Sequence, residues 1–197
     1  MVKVRRATPS DDLDFARLLL LSAPYFPIIF GPRIEMTLMW VFRCKCNLFS
    51  FEHVYFAEAE GKNAGMILGY SWEDKKRENF RTGILLFART GLSMLANVPT
   101  FLRLNATTGR MGKFQYYISN VAVYSQFRRR GIGGQLMSAA EYEARKLGAR
   151  DVILDVEREN LAAIGLYERM GYKMVEEFSV PLGIEKNLHF IRMGKEI

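Results

Sequence analysis

Gln126-Phe127-Arg128-Arg129-Arg130-Gly131-Ile132-Gly133-Gly134-Gln135-Leu136 follows an apolar run from Ile118 to Val123 and opens a helical pattern. Strand, basic glycine loop and helix start, in that order, describe a cradle for phosphate. Gly131, Gly133 and Gly134 lack Cβ, so backbone N–H groups can approach an anion, and three arginines add charge and bidentate donors. A glycine turn between strand and helix is also common in α/β proteins at large, and three arginines suit a solvated surface. The loop alone leaves both uses open. A Walker loop needs Lys-Ser or Lys-Thr after its last glycine, whereas Gly134 is followed by Gln135-Leu136. The dinucleotide pattern G-x-G-x-x-G fits Gly131 and Gly133 but meets Leu136 where the third small residue belongs, although Asp151 stands where a ribose-binding acid is wanted. Neither nucleotide motif is complete.

Arg128-Arg129-Arg130-Gly131-Ile132-Gly133 resembles the Q/R-x-x-G-x-G/A signature of the GCN5-related N-acetyltransferases, whose loop holds the pyrophosphate of acetyl-CoA. Leu154 to Tyr172 is similar to that family's second half, a strand and then N-x-x-A-x-x-L-Y-x-x-x-G-[FY], here Asn160, Ala163, Leu166, Tyr167, Gly171 and Tyr172. The segment resembles the protein N-alpha-acetyltransferase branch. The match runs from about Tyr116 to Phe178 and brings both motifs in the family's order.

That resemblance implies an α/β (α+β) fold: a mixed, mostly antiparallel sheet with a central parallel, splayed strand pair, flanked by helices. It implies an acetyl-CoA-dependent N-acetyltransferase, an acyltransferase moving acetyl to a primary amine by direct attack in a ternary complex, with acetyl-CoA as co-substrate and no metal. The backbone of Val121, Ala122 and Val123 is then expected to bind the pantetheine arm and aim an N–H at the thioester oxygen. Arg128, Arg129, Arg130, Gly131, Ile132, Gly133 and Gly134 are expected to hold the pyrophosphate. Asn160 would cap its helix and bind the pantetheine amide, and Tyr167 would serve the departing thiolate as general acid. The alternative for Tyr167 is an aromatic packed on the sheet in one stripe with Leu161, Ile164 and Met170. Asp155 holds the position of an acid common in the N-terminal acetyltransferases and is the expected base, with Glu157 on the same strand face, or water, as alternatives. Ser119 and Asn120 stand where many relatives carry a carboxylate, and His189 is expected to be structural. The contrasting reading is a non-catalytic acyl-CoA-binding regulatory or scaffold module.

With 197 residues, 49% of them hydrophobic and 25% charged, the chain has enough material for one core, and residues 1–197 are expected to form a single domain. Met1-Val2-Lys3-Val4-Arg5-Arg6 leads into Ser10-Asp11-Asp12 instead of an apolar signal core. Pro24, Pro27, Arg89, Asn97 and Pro99 interrupt the longest apolar stretches, so no membrane span and a cytoplasmic location are expected. Cys44 and Cys46 are too close for an unstrained disulfide and lack a suitably spaced histidine for metal. The net charge of +7 concentrates between Trp72 and Lys113, which hold eight basic residues against three acidic ones. Such a patch suits a solvated helix face or the steering of an acidic substrate, and with no nucleic-acid signature beside it, nucleic acid is not an expected partner.

Alternation and periodicity predict a strand over Val2–Ala7, helices over Leu13–Leu20 and Ile34–Phe42, and a hairpin of His53–Ala59 with Ala64–Ser71. The intervening Tyr25, Phe26, Ile28, Ile29 and Phe30 read as an apolar connection that hints at a partly hydrophobic acceptor pocket. A helical insertion is expected at about 72–113, from Leu85, Leu86, Phe87, Leu92, Leu95, Phe101 and Leu102, broken near Asn97-Val98-Pro99. A wall over the acceptor site or a homodimer contact is its expected use. Gly133, Leu136, Met137, Ala140, Ala144 and Leu147 share a helix face ending at Gly148. Val152–Val156 is a buried parallel strand, and Tyr172–Phe178 and Leu188–Met193 are the closing strands. A protein N-terminus, a lysine and a small amine all remain open as acceptor.

Overall fold

A computed structural model describes residues 2–91, 107–182 and 186–197. The expected helix break at Asn97-Val98-Pro99, with Leu92, Leu95, Phe101 and Leu102, lies outside the described residues.

The first strand, β1 (Lys3–Arg6), leads into a short 3-10 turn where Asp11 Oδ2 accepts the Thr8 N–H at 2.7 Å. Helix α1 (Asp12–Ser22) follows, buries Phe15, Ala16, Leu18 and Leu19, and stops before Pro24 as expected. The apolar connection is itself helical: Phe26–Phe30 forms α2, with Pro27 in its first turn, where a missing N–H costs nothing. Helix α3 is Ile34–Arg43. Strands β2 (Val54–Ala59) and β3 (Lys62–Ser71) form a hairpin tighter than predicted. Ala59 pairs with Lys62, and the two-residue turn takes φ of 55° at Glu60 and 71° at Gly61.

Helix α4 (Trp72–Thr90) starts at Ser71, whose Oγ accepts the Asp74 N–H at 3.1 Å. Strand β4 is Gln115–Val123, α5 Ile132–Lys146, β5 Asp151–Glu157, α6 Leu161–Arg169, β6 Lys173–Leu182 and β7 Lys186–Glu196. Leu147 was expected on the buried face of α5 but is 48% exposed, because the helix ends one residue earlier and its phase is lost.

Together these strands make one seven-stranded sheet in the order β1-β2-β3-β4-β5-β7-β6. Every pairing is antiparallel except β4 with β5, where α5 supplies the crossover. One core cluster joins α1, α2 and α3 to the sheet around Phe15, Phe42 and Phe56. A second joins α5 and α6 to it around Leu136, Met137 and Tyr167.

The parallel pair is short. Its register runs from Gln115↔Asp151 to Ile118↔Leu154 and ends there, while β4 stays paired with β3 as far as Val123 and β5 with β7 as far as Glu157. Beyond Ile118 and Leu154 the two strands therefore part. The β3–β4 register passes from Leu68↔Asn120 to Gly69↔Ile118, which leaves Ser119 as the extra residue of a bulge where they separate.

Candidate active site

The parting of β4 and β5 opens a cleft of about 840 Å³ between α5 and α6. Val121, Ala122 and Val123 form one wall, Asn160 and Tyr167 the other, and the glycine loop lies between them. Gly131, at φ 75°, caps α5 in a left-handed conformation. The first intrahelical bond runs from Gln135 N–H to the Gly131 carbonyl, leaving the N–H groups of Ile132, Gly133 and Gly134 without a partner in their own helix. A Cβ placed at Gly131 or Gly134 meets no atom within 4 Å, so open space lies over both. The helix dipole adds positive potential at the same point.

The three arginines divide. Arg128 and Arg129 line the cleft, and Arg128 Nε donates to the Val123 carbonyl at 3.1 Å, tying the loop to the end of β4. Arg130 stands apart from the other two. Its guanidinium is paired with Glu60 at 2.5 Å and lies 5.5 Å over the Phe127 ring, outside the cleft lining. Ile132 buries its side chain in the core, so what it offers the cleft is its backbone.

Asn160 caps α6, its Oδ1 accepting the Ala163 N–H at 3.2 Å. Tyr167 points from α6 into the cleft with 7% exposure, while Leu161 of the same expected stripe is 75% exposed at the helix start. Burial pushes the Tyr167 phenol up to about 12.

Asp155, the expected base, is held in an ion pair. Arg192 grips it from β7, where the two residues are paired in register, through Nε to Oδ1 at 2.8 Å and Nη2 to Oδ2 at 3.1 Å. Oδ2 also accepts the Gly109 N–H at 2.7 Å and the Tyr117 hydroxyl at 3.1 Å. Three of these four donors crowd onto Oδ2 and one onto Oδ1, and the Arg192 guanidinium neutralises the charge. Glu157, the alternative, lines the same cleft. His189 is exposed and bonded to Ser179 at 2.7 Å, away from the lining.

A second cavity of about 680 Å³ lies on the other side of Asp155, walled by α2, α4 and β4. The two spaces share Tyr25, Ser119, Asn120, Asp155 and Phe190, so they meet where the strands part. Arg192, Tyr117 and the Gly109 N–H were not anticipated as Asp155 partners, since only strand register and chain return bring them there. Arg169, which lines the first cleft from the last turn of α6, was also missed. Its position shortly after Tyr167 was the available signal. Among the described residues no group of three or more His, Cys, Asp and Glu is placed to hold a metal, and no helix is long and apolar enough to cross a membrane.

A parallel pair that splays, with the glycine-turned start of α5 at its opening and a second cavity behind it, is the architecture of the site. The family model for acetyltransferase (GNAT) proteins matches residues 18–172, and the chain belongs to that family. It is 40% identical over 60 residues to GCN5-related N-acetyltransferase 4, chloroplastic, of Arabidopsis thaliana, covering 30% of this chain and 21% of that one. It is 31% identical over 87 residues to an N-alpha-acetyltransferase of Sulfurisphaera tokodaii, covering 44% and 46% respectively. The chain thus spans less than half the length of either curated relative. A solved structure from Salmonella typhimurium, with its cofactor acetyl-CoA, shares the fold at a TM-score of 0.64 and 16% identity over 99% of this chain and 93% of that one.

Proposed function

We propose that this chain is an acetyl-CoA-dependent N-acetyltransferase, a single domain over 1–197 with a helical insertion at about 72–113, that passes acetyl to a primary amine by direct attack. The carrying observation is the parting of β4 and β5 after Ile118 and Leu154, with an anion cradle on one side and a separate cavity on the other. Two substrates can then meet at one point from opposite sides, the geometry that a ternary complex requires.

In this reading the N–H groups of Ile132, Gly133 and Gly134, with Arg128 and Arg129, hold the pyrophosphate. The unpaired edge of β4 at Val121, Ala122 and Val123 binds the pantetheine arm, and one of its N–H groups steadies the oxyanion. Asn160 holds a pantetheine amide. The amine nitrogen forms the new C–N bond as the C–S bond breaks, the amine proton passes to water, and the sulfur leaves as thiolate. Tyr167 donates a hydrogen bond to that sulfur. With the phenol near 12 and an ordinary thiol near about 8.5, complete proton transfer runs uphill, so stabilisation of the thiolate is its larger contribution. Asp155, ion-paired with Arg192, positions that guanidinium, Tyr117 and the Gly109 turn.

The test is thiol release from acetyl-CoA with a panel of amines, alongside calorimetric binding of acetyl-CoA. Turnover with at least one amine supports the reading. Binding without turnover of any amine points to the non-catalytic module, and a stable acetyl-protein formed without acceptor sinks direct transfer.

A further inference from the structure

The second cavity carries a further inference about the acceptor. Helix α4 presents Phe80, Gly83, Ile84 and Phe87 to it at helical spacing, one stripe on one face. Phe80, Ile84 and Phe87 are 81%, 51% and 47% exposed, so this apolar stripe runs from the wall out to the mouth. Opposite it stand Phe26, Phe30 and Phe49. At the centre of the stripe Gly83 leaves a notch: a Cβ built there meets nothing within 4 Å.

Charge is sparse in this lining. Among the described residues Asp155 is its one carboxylate, and its charge is matched by the Arg192 guanidinium, with Tyr117 and Gly109 as further donors. Among the described residues its one cation is Lys75, held by the Gly109 carbonyl at 2.6 Å and lowered from its ordinary range by burial and by Arg192. A substrate carrying a second positive charge would meet, among these side chains, only a carboxylate already paired with Arg192, and would face Lys75. An apolar wall also favours the neutral form of an entering amine, the form that attacks, without any dedicated base.

We infer that the acceptor is a small primary monoamine on an aromatic or alkyl body, lying along the α4 stripe with Gly83 setting the room available to it. This rests on the acetyltransferase reading above. The cavity volume falls within the usual range for small-molecule sites.

The experiment measures thiol release from acetyl-CoA with 2-phenylethylamine, hexylamine, spermidine, kanamycin and a peptide with a free α-amine, and acetyl-CoA binding by calorimetry in parallel. The expected result is a kcat/KM for the first two at least about tenfold above the others. Gly83→Phe, which fills the notch, should raise the KM for 2-phenylethylamine by about tenfold and leave the KM for acetyl-CoA within about twofold. Phe80→Glu, at the exposed mouth, guards against a folding failure and should raise the preference for spermidine over 2-phenylethylamine by about fivefold. Preferred turnover of spermidine, kanamycin or the peptide, or unchanged amine kinetics in both variants, overturns the inference and leaves the acetyltransferase reading standing. Acetyl-CoA that neither binds nor releases thiol with any amine sinks both.

Discussion

Asp155 and Tyr167 read alike in the sequence, as polar groups at family positions, and the structure treats them differently. Tyr167 opens into the cleft with its hydroxyl available, whereas Asp155 is 2% exposed in its side chain and surrounded by donors. Asp155→Asn would leave the Arg192 guanidinium with Glu176, 2.6 Å away, as its remaining carboxylate, so the variant is expected to destabilise the fold by about 2 kcal/mol, read as a lower urea midpoint. Its pH–rate profile should keep the wild-type shape. Loss of the acid limb with stability intact would instead restore Asp155 as base. Tyr167→Phe is expected to lower kcat about a hundredfold while acetyl-CoA affinity stays within about threefold, because the hydrogen bond to sulfur forms only as charge develops. Since burial raises the phenol, no descending limb from Tyr167 should appear in the kcat profile at neutral to mildly alkaline pH. The roles of Arg130 and Arg128 were not separable in the run Arg128-Arg129-Arg130. Their directions depend on Glu60 in a distant turn and on where β4 ends.

Helix α4 illustrates what an element's own sequence leaves open. Its apolar periodicity and the Ser71 cap are plain in the chain, but which face meets the sheet is decided by three anchors. His53 Nε2 and Glu78 Oε2 are 2.7 Å apart, Thr82 Oγ1 accepts the Leu48 N–H at 2.9 Å, and the Arg89 guanidinium lies 4.6 Å over the Trp40 ring. The basic surplus of the insertion is partly consumed inside it. Lys75 binds Gly109, Arg77 binds Asp74 and Glu78, and Lys76 lies over Trp72. These contacts favour the solvated-helix and wall readings over a polyanion surface. Gly83 sits inside α4 with space for a methyl group, so Gly83→Ala should raise stability by about 1 kcal/mol in thermal unfolding. Gly131→Ala should do the reverse by about 1 kcal/mol and weaken acetyl-CoA binding, because φ 75° is strained for any residue with a Cβ. Gly133 is constrained differently: a Cβ there would stand 3.0 Å from Leu166 Cδ2, so the glycine lets α5 approach α6.

Across the whole molecule, the N-terminal strand is tied to the rest by carboxylates. Asp11 is desolvated, which raises it, but the Arg5 guanidinium and the Thr8 hydrogen bonds outweigh that and hold it well below the usual carboxylate range. Glu143 is likewise desolvated and lies below its ordinary value through Tyr55 and Arg6. A carboxylate lowered on folding contributes stability above its unfolded pKa and loses it as pH falls through the folded one. The stability from these groups should therefore be complete above about pH 5 and decline below about pH 4. Asp11→Asn should flatten that decline in urea midpoints taken from pH 6 to pH 3. The sequence by itself determined the order of elements apart from α2, the glycine turn that opens α5, the Asn160 cap and the family, because each rests on local periodicity or on residues close along the chain. Only the tertiary structure decided where β4 and β5 part, which arginines line the cleft, that Asp155 is paired with Arg192 and bonded by Tyr117, and that α4 walls an apolar cavity. Each of these depends on a pairing register or a long-range contact, set by how the whole sheet closes and written in no single segment.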